Sequence, residues 1–389
     1  MRREPALNYA ARFAREASLA RLPVPRSIVK SSGAVTLLRE FQSALRNAHG
    51  DIAAIRRVAV EYARRLWRFG CASVFAGTDL ALHWSRLRML AMMRVHFSAR
   101  AYATVDPRVM DRCLRMFDLV SRNQMDAGEA ESEVQASSRV TDRGVPLWIT
   151  GFDPYGLSAD RPDSLVNTNP SGAAVLALHG RSIVGRSGRT YRVRGALFPV
   201  RYRDFDEHGL ERFLRRRVPR DCPFLFTISM GAASDAFHLD RFPANRRGGA
   251  ADNAGESPGP GPILTGGDPQ FVECRLSPDR MAAMVSVESA AGPFAVIDWR
   301  EVESLGRGRV VVRDYAELAG ETAVRGSGGD YLSNEITYRV IREIQAGGAW
   351  PALETVHIHT PRVSGGDVNA PAQVRRIVAQ IQAMLIAVG

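Results

Sequence analysis

Apolar residues recur at helical spacing through the first third of the chain and at strand spacing beyond it. Between Asp51 and Arg100, Ile52, Ile55, Val58, Val60, Tyr62 and Leu66, then Leu80, Leu82, Leu87, Leu90 and Met93, mark two amphipathic helices. Arg56, Arg57, Arg64, Arg65 and Arg68 fill the opposite face. That face reads as solvated, a surface for an acidic partner or an anionic membrane being the sharper alternative. Residues 1–125, rich in Ala, Arg, Leu and Met and poor in glycine, therefore predict a small all-helical domain. Residues 126–145 are small and polar, with almost no large apolar side chains, and predict a linker.

From residue 146 to 389 the pattern alternates between strand and helix. Strands are expected over Leu147–Thr150, Tyr191–Val200, Phe224–Ser229, Phe294–Trp299, Arg309–Val312 and Thr355–His359. Helices are expected over Ser171–His179, Leu210–Arg217, Asn334–Ile344 and Ala372–Ile386. This order predicts an α/β sheet covered by helices on both faces. The Gly/Pro-rich stretch from Arg247 to Asp268 reads as a long functional or mobile loop.

Composition narrows the class. The 389 residues are 45% hydrophobic and 24% charged, which is a globular balance. Cys71, Cys113, Cys222 and Cys274 lie far apart with no CxxC pair, so neither a disulfide framework nor a zinc ribbon is indicated, and a cytoplasmic location is expected. No run of about 18 uncharged apolar residues predicts a membrane span, and the N-terminus lacks the apolar stretch of a signal peptide. The net charge of +11 is almost all arginine, Lys30 being the only lysine. No nucleic-acid partner is expected from this charge alone.

Several short motifs carry chemistry. The first α/β strand ends in GFDPYG (Gly151–Gly156), followed by Asn169-Pro170-Ser171 at a helix start. The third ends in ISMG (Ile228–Gly231), followed by DRFPAN (Asp240–Asn245) and ADNAGESP (Ala251–Pro258). GGDYLSNEITYRV (Gly328–Val340) and HIHTP (His357–Pro361) complete the set. In this order and spacing the motifs resemble the pyroglutamyl peptidase I family, also called pyrrolidone carboxyl peptidases, from about Leu147 to the C-terminus. Those are cysteine peptidases that remove an N-terminal pyroglutamyl residue.

The resemblance implies a three-layer α/β/α sandwich, here preceded by the helical domain, and a Cys-His-Glu triad. Carried over, the histidine is His359, the nucleophile falls on Ser333, and the glutamate falls on Asp240. Phe152, Tyr155 and Asn169 are implied as the lining of the lactam pocket. Serine must be deprotonated by a positioned base, so His359 would act as base and Asp240 would orient it. The chain departs from the family at Ala232, where a glutamine is usual, and before Asp252, where an arginine is missing; Arg246 or Arg247 could reach back, though the alignment does not require it. The segment from Phe294 to Val324 is also longer.

The expected activity is removal of N-terminal pyroglutamate from peptides through Ser333, His359 and Asp240. The alternatives are an inactive pseudopeptidase serving as a binding or scaffold module, and a hydrolase of another acyl amide or ester. No cofactor or metal is expected, a homo-oligomer is left open, and no partner is assigned to the helical domain. Simpler roles fit the same residues: Ser333 as a helix N-cap, Asp240 paired with Arg241, Asn169 as a turn and helix start. His357 is expected on the strand face opposite His359.

Overall fold

A computed structural model of the protein describes residues 9–73, 77–126, 144–233, 235–287 and 293–389. Most of the expected linker, residues 127–143, lies outside them. The described residues of the N-terminal part form helices: α1 (Tyr9–Arg12), α2 (Ala14–Leu19), α3 (Pro23–Ser31), α4 (Ala34–Asn47), α5 (Ile52–Ser73), α6 (Leu80–Phe97) and α7 (Pro107–Val120). α5 is amphipathic as its spacing requires, burying Ile55, Val60, Tyr62 and Leu66 while Arg57, Arg64 and Arg68 stay exposed. α6 is different. It is buried on nearly every side, His83, Ser85 and Arg86 included, because α2, α3, α4, α5 and α7 all pack against it.

From Val145 the chain forms a seven-stranded mixed sheet in the order β2-β3-β1-β4-β10-β5-β6. The strands are β1 (Val145–Phe152), β2 (Ser182–Val184), β3 (Thr190–Phe198), β4 (Phe224–Met230), β5 (Ala236–Asp240), β6 (Ala295–Trp299) and β10 (His357–Thr360). β1, β3, β4 and β10 run parallel, β2 and β5 are antiparallel to their neighbours β3 and β10, and β6 runs parallel to β5. One face carries α8 (Pro170–Leu178), α11 (Pro278–Val285) and α13 (Ala370–Val388). α10 (Gly209–Arg217) and α12 (Leu332–Gly347) cover the other, with Trp148, Phe198, Phe213 and Ile336 in the core between. The expected three-layer α/β/α arrangement is thus present. The additional length between β6 and α12 forms a separate antiparallel sheet of β7 (Glu301–Ser304), β8 (Gly308–Val311) and β9 (Ala323–Arg325).

α8 lies unusually close to the sheet. A Cβ on Gly151 would come within 2.5 Å of the Ser171 carbonyl oxygen, and one on Gly195 within 2.8 Å of Val175 Cγ1. These glycines are needed for backbone approach rather than for a turn. The N-terminal helices join the core of this same face, where Phe41, Leu66, Leu90 and Phe117 cluster continuously with Leu147, Ile149, Leu176 and Ile377.

Polar groups also cross this junction. Buried Glu16 of α2 accepts a hydrogen bond from Asn253 Nδ2 at 2.9 Å. Burial pushes its carboxyl up from 4.5 to about 7. The folded value lies above the unfolded one, so this contribution is fully present below 4.5 and is lost as pH rises through about 7. Glu16→Gln keeps the acceptor and removes the titration. Its melting temperature is expected to rise relative to wild type as pH increases from 4.5 to 7, which a pH series of thermal melts reads directly.

Among the described residues no helix is long and apolar enough to cross a membrane. The cysteines are all free, Cys113, Cys222 and Cys274 being buried.

Candidate active site

β1 lies between β3 and β4, so the chain leaves it toward both edges of the sheet. In open α/β sheets the crevice beyond the carboxyl ends of such strands is the usual ligand site. A cavity of about 330 Å³ opens there. Phe152, Tyr155, Asn169, Ser333 and His359 line it, together with Ser229 to Ala233 at and just beyond the end of β4. Five of the six expected site residues therefore share one cavity, and the sixth, Asp240, lies directly behind His359.

His359 Nδ1 is 2.8 Å from Asp240 Oδ2. Asp240 is fully buried, and neither of its oxygens has a hydrogen-bond partner among the described residues, so the 2.8 Å approach is a close contact short of hydrogen-bond geometry. A buried carboxylate without a hydrogen-bond donor depends on the imidazoles beside it, His359 nearest and His357 within 4.8 Å. Nε2 is left as the free ring nitrogen. Asp240 does not pair with Arg241, whose guanidinium instead engages Asp298 at 3.1 Å.

His357 corrects an expectation. Residues two apart in a strand share a face, and its ring centroid is accordingly 4.6 Å from that of His359. It is wholly buried, with Nδ1 2.8 Å from Thr227 Oγ1 and Nε2 2.8 Å from Ser229 Oγ. Burial, and then the adjacent His359, push its pKa well below the ordinary imidazole value, which favours the neutral ring. Ligand atoms of Asp240, His357 and His359 lie within 4.8 Å of one another, a spacing a cation accepts. Both nitrogens of His357 are already engaged by hydroxyls, however, so a cation there would have to displace one of those hydrogen bonds.

Ser333 is the second residue of α12 and does not cap it. The cap position is Tyr331, with no side-chain hydrogen bond to the helix. The first amides of α12 thus precede any intrahelical partner and are open donors. Ser333 Oγ donates to the Gly328 carbonyl at 3.0 Å, with no hydrogen bond to His359 in this state. The glycine-rich turn before α12 is explained by crowding. A Cβ on Gly328 would lie 2.9 Å from Asp240 Oδ2, and one on Gly326 2.4 Å from Asn334 Oδ1. The start of α12 is anchored by Glu335, fully buried, which accepts from Arg247 Nε at 2.6 Å and from Arg339 Nε at 2.7 Å. Arg247 also binds Asp206. The expectation that Arg246 or Arg247 reaches toward a substrate fails, because neither lines the cavity and Arg247 is committed to these acids.

Asn169 caps α8. Its Oδ1 accepts from Ser171 N at 3.1 Å and from Ser171 Oγ at 2.8 Å, and its Nδ2 donates to the Asp153 carbonyl at 3.0 Å. The backbone amide can only donate, so the carboxamide orientation is determined. The helix-start role is therefore real, and it coexists with a place in the cavity wall.

Other lining residues were not foreseen. His238 stacks on Trp299 with ring centroids 4.1 Å apart and planes at 6°, and both face the cavity. β7, β8 and β9 contribute Glu301, Glu303, Arg309 and Arg325, and the chain after β10 contributes Arg362. Behind the GFDPYG loop lie charges from the helical segment. Arg86 Nη1 donates to Asp153 Oδ1 at 2.9 Å and Arg122 Nη2 to Oδ2 at 2.6 Å, all three residues being buried. Burial opposes ionisation of Asp153, but Arg122 and then Arg86 hold its carboxyl well below the usual carboxylate range. One signal was available in the sequence: Arg86 is four residues from both Leu82 and Leu90, on the apolar stripe of α6.

Comparison with known proteins places these features in context. Residues 147–304 match the family described as the C-terminal domain of PA0049. The uncharacterized protein PA0049 of Pseudomonas aeruginosa is 25% identical, the match covering 91% of this chain and 79% of that protein. Among solved structures, a variant of pyrrolidone carboxyl peptidase from Pyrococcus furiosus is 17% identical, with 63% of this chain and 98% of that one covered and a TM-score of 0.44. Pyrrolidone carboxyl peptidase from Thermococcus litoralis is 18% identical, with 62% and 93% covered and a TM-score of 0.43.

Proposed function

We propose that the protein is an acyl-amide hydrolase of the pyroglutamyl-peptidase kind, acting on peptides with an N-terminal pyroglutamyl group. Ser333 is the nucleophile, His359 the general base and acid, and Asp240 the group that orients His359. The observation that carries this reading is the 2.8 Å contact between His359 Nδ1 and a buried carboxylate with no other partner, beside a serine at the uncapped start of a helix.

Rotation about χ1 moves Ser333 Oγ from the Gly328 carbonyl toward His359. The oxygen then bonds to the amide carbon while its proton passes to His359 Nε2. Negative charge developing on the carbonyl oxygen is met by open amides at the start of α12. The C–N bond breaks as His359 returns the proton to the leaving nitrogen, and water repeats the cycle on the acyl-serine. Phe152 and Tyr155 supply apolar walls for a lactam ring, and Asn169 retains one Nδ2 hydrogen for its carbonyl. A cytoplasmic site of action belongs to the same proposal, in keeping with four unpaired cysteines.

The test is release of a fluorophore from an L-pyroglutamyl amide by the purified chain. Turnover that saturates with substrate is the expected result. Hydrolysis of other acyl amides or esters without that of the pyroglutamyl compound would move the substrate, and no hydrolysis of any of them would favour the binding-module alternative.

A further inference from the structure

The helical segment reaches the cavity wall through Asp79, which is buried at the start of α6. Its Oδ1 accepts from Thr168 Oγ1 at 2.6 Å and from the Asn169 backbone amide at 3.1 Å, and its own amide donates to Thr168 Oγ1 at 3.3 Å. Three hydrogen bonds thus fix the two residues that lead into α8. The approach is close enough that a Cβ on Gly172, in the first turn of α8, would lie 2.6 Å from Asp79 Oδ2. Nothing in the helix start itself demands this. Asn169 already caps α8 with its side chain, so Asp79 adds no cap and acts on the backbone position of the capping residue.

We infer that Asp79 is a positioning residue for the pocket, acting through Asn169, and that the N-terminal helical segment is thereby a working part of the substrate site rather than an appended binding module. The inference rests on the acyl-pocket reading above. Asn169 has both carboxamide atoms committed, Oδ1 to Ser171 and one Nδ2 hydrogen to the Asp153 carbonyl. Its remaining N–H is aimed only as well as its backbone is held. A displacement of about an ångström takes a hydrogen-bond donor out of productive reach, with losses that can reach about a hundredfold. Because Oδ1 makes both side-chain contacts and Oδ2 makes none, asparagine at position 79 preserves the arrangement and alanine abolishes it.

The experiment measures kcat and KM on an L-pyroglutamyl coumarin amide with the full chain and four variants: Asp79→Ala, Asp79→Asn, Asn169→Ala and the double variant Asp79→Ala/Asn169→Ala. Asp79→Ala is expected to raise KM about tenfold or more while kcat moves less, and Asp79→Asn to stay within about threefold of wild type. In the Asn169→Ala background the effect of Asp79→Ala should vanish, which a merely structural role would not produce. Wild-type kinetics in Asp79→Ala, or an undiminished effect in the double variant, overturns the inference. If the wild type hydrolyses no acyl amide, the functional reading fails on its own, and hydrogen exchange then decides about Asp79. Protection lost in Asp79→Ala over residues 152–156 and 167–172, with 224–230 unaffected, supports the positioning role. Unchanged protection there refutes it.

Discussion

Ser333→Ala is expected to lower kcat/KM on an L-pyroglutamyl amide by about four orders of magnitude, roughly 5 kcal/mol of transition-state stabilisation, with the melting temperature almost unchanged. The two readouts separate because Ser333 Oγ makes a single hydrogen bond, to the Gly328 carbonyl, from a half-buried position. Losing one such bond costs about 1 kcal/mol at most, whereas losing the nucleophile removes the covalent path. Ser333→Cys is the informative companion. A thiol at the second position of α12 sits among open amides and near His359, both of which favour the thiolate. It is expected to hydrolyse the same amide well above the alanine background. Wild-type rates in Ser333→Ala would remove Ser333 from the mechanism. A silent wild type rescued by Ser333→Cys would show that cavity and base are intact and that the serine alone disables them.

How much of this was legible in the sequence depends on what set each feature. Strands β1, β3 and β4 and helices α5, α8 and α12 followed from spacing, because each is long and buries a continuous stripe or face. β5 went unseen, though it carries Asp240: its five residues show no alternation of buried and exposed positions, and its pairing with β10 is a long-range matter. The proximity of His359 to Asp240 came from motif order, and the register of β5 on β10 now accounts for it, since His357 pairs with Asp240 and His359 with His238. Of the cavity's second wall, β8 was expected as a strand over Arg309–Val312, while β7 and β9 were seen only as extra length. The face of α5 carrying Arg57, Arg64 and Arg68 is exposed, as the spacing of its arginines predicts. Arg86 and Arg122 were not singled out because composition treats every arginine alike, and only burial distinguishes a surface charge from a structural one.

That buried charge supports the largest stability effect. Asp153→Ala is expected to destabilise the chain by about 3–5 kcal/mol, since it strands the guanidiniums of Arg86 and Arg122 in the interior. Arg122 keeps Asp118, which also receives Arg201 at 2.8 Å and the Tyr9 hydroxyl at 2.7 Å, but Arg86 keeps only Ser121. The sign of the pH dependence follows. Arg122 and Arg86 depress the folded-state pKa of Asp153, so the stability it provides is present above the ordinary carboxylate value near about 4 and is lost as pH falls through the folded value. Asp153→Asn should therefore be less stable than wild type at neutral pH and show a shallower loss on acidification, both visible in melts between about pH 2 and 7. The network also joins α1, α6 and the end of α7 to the loop carrying Phe152 and Tyr155. Wild type should consequently unfold in one calorimetric transition. Two transitions, with Asp153→Ala lowering only one, would instead mark the helical segment as an independently folding domain.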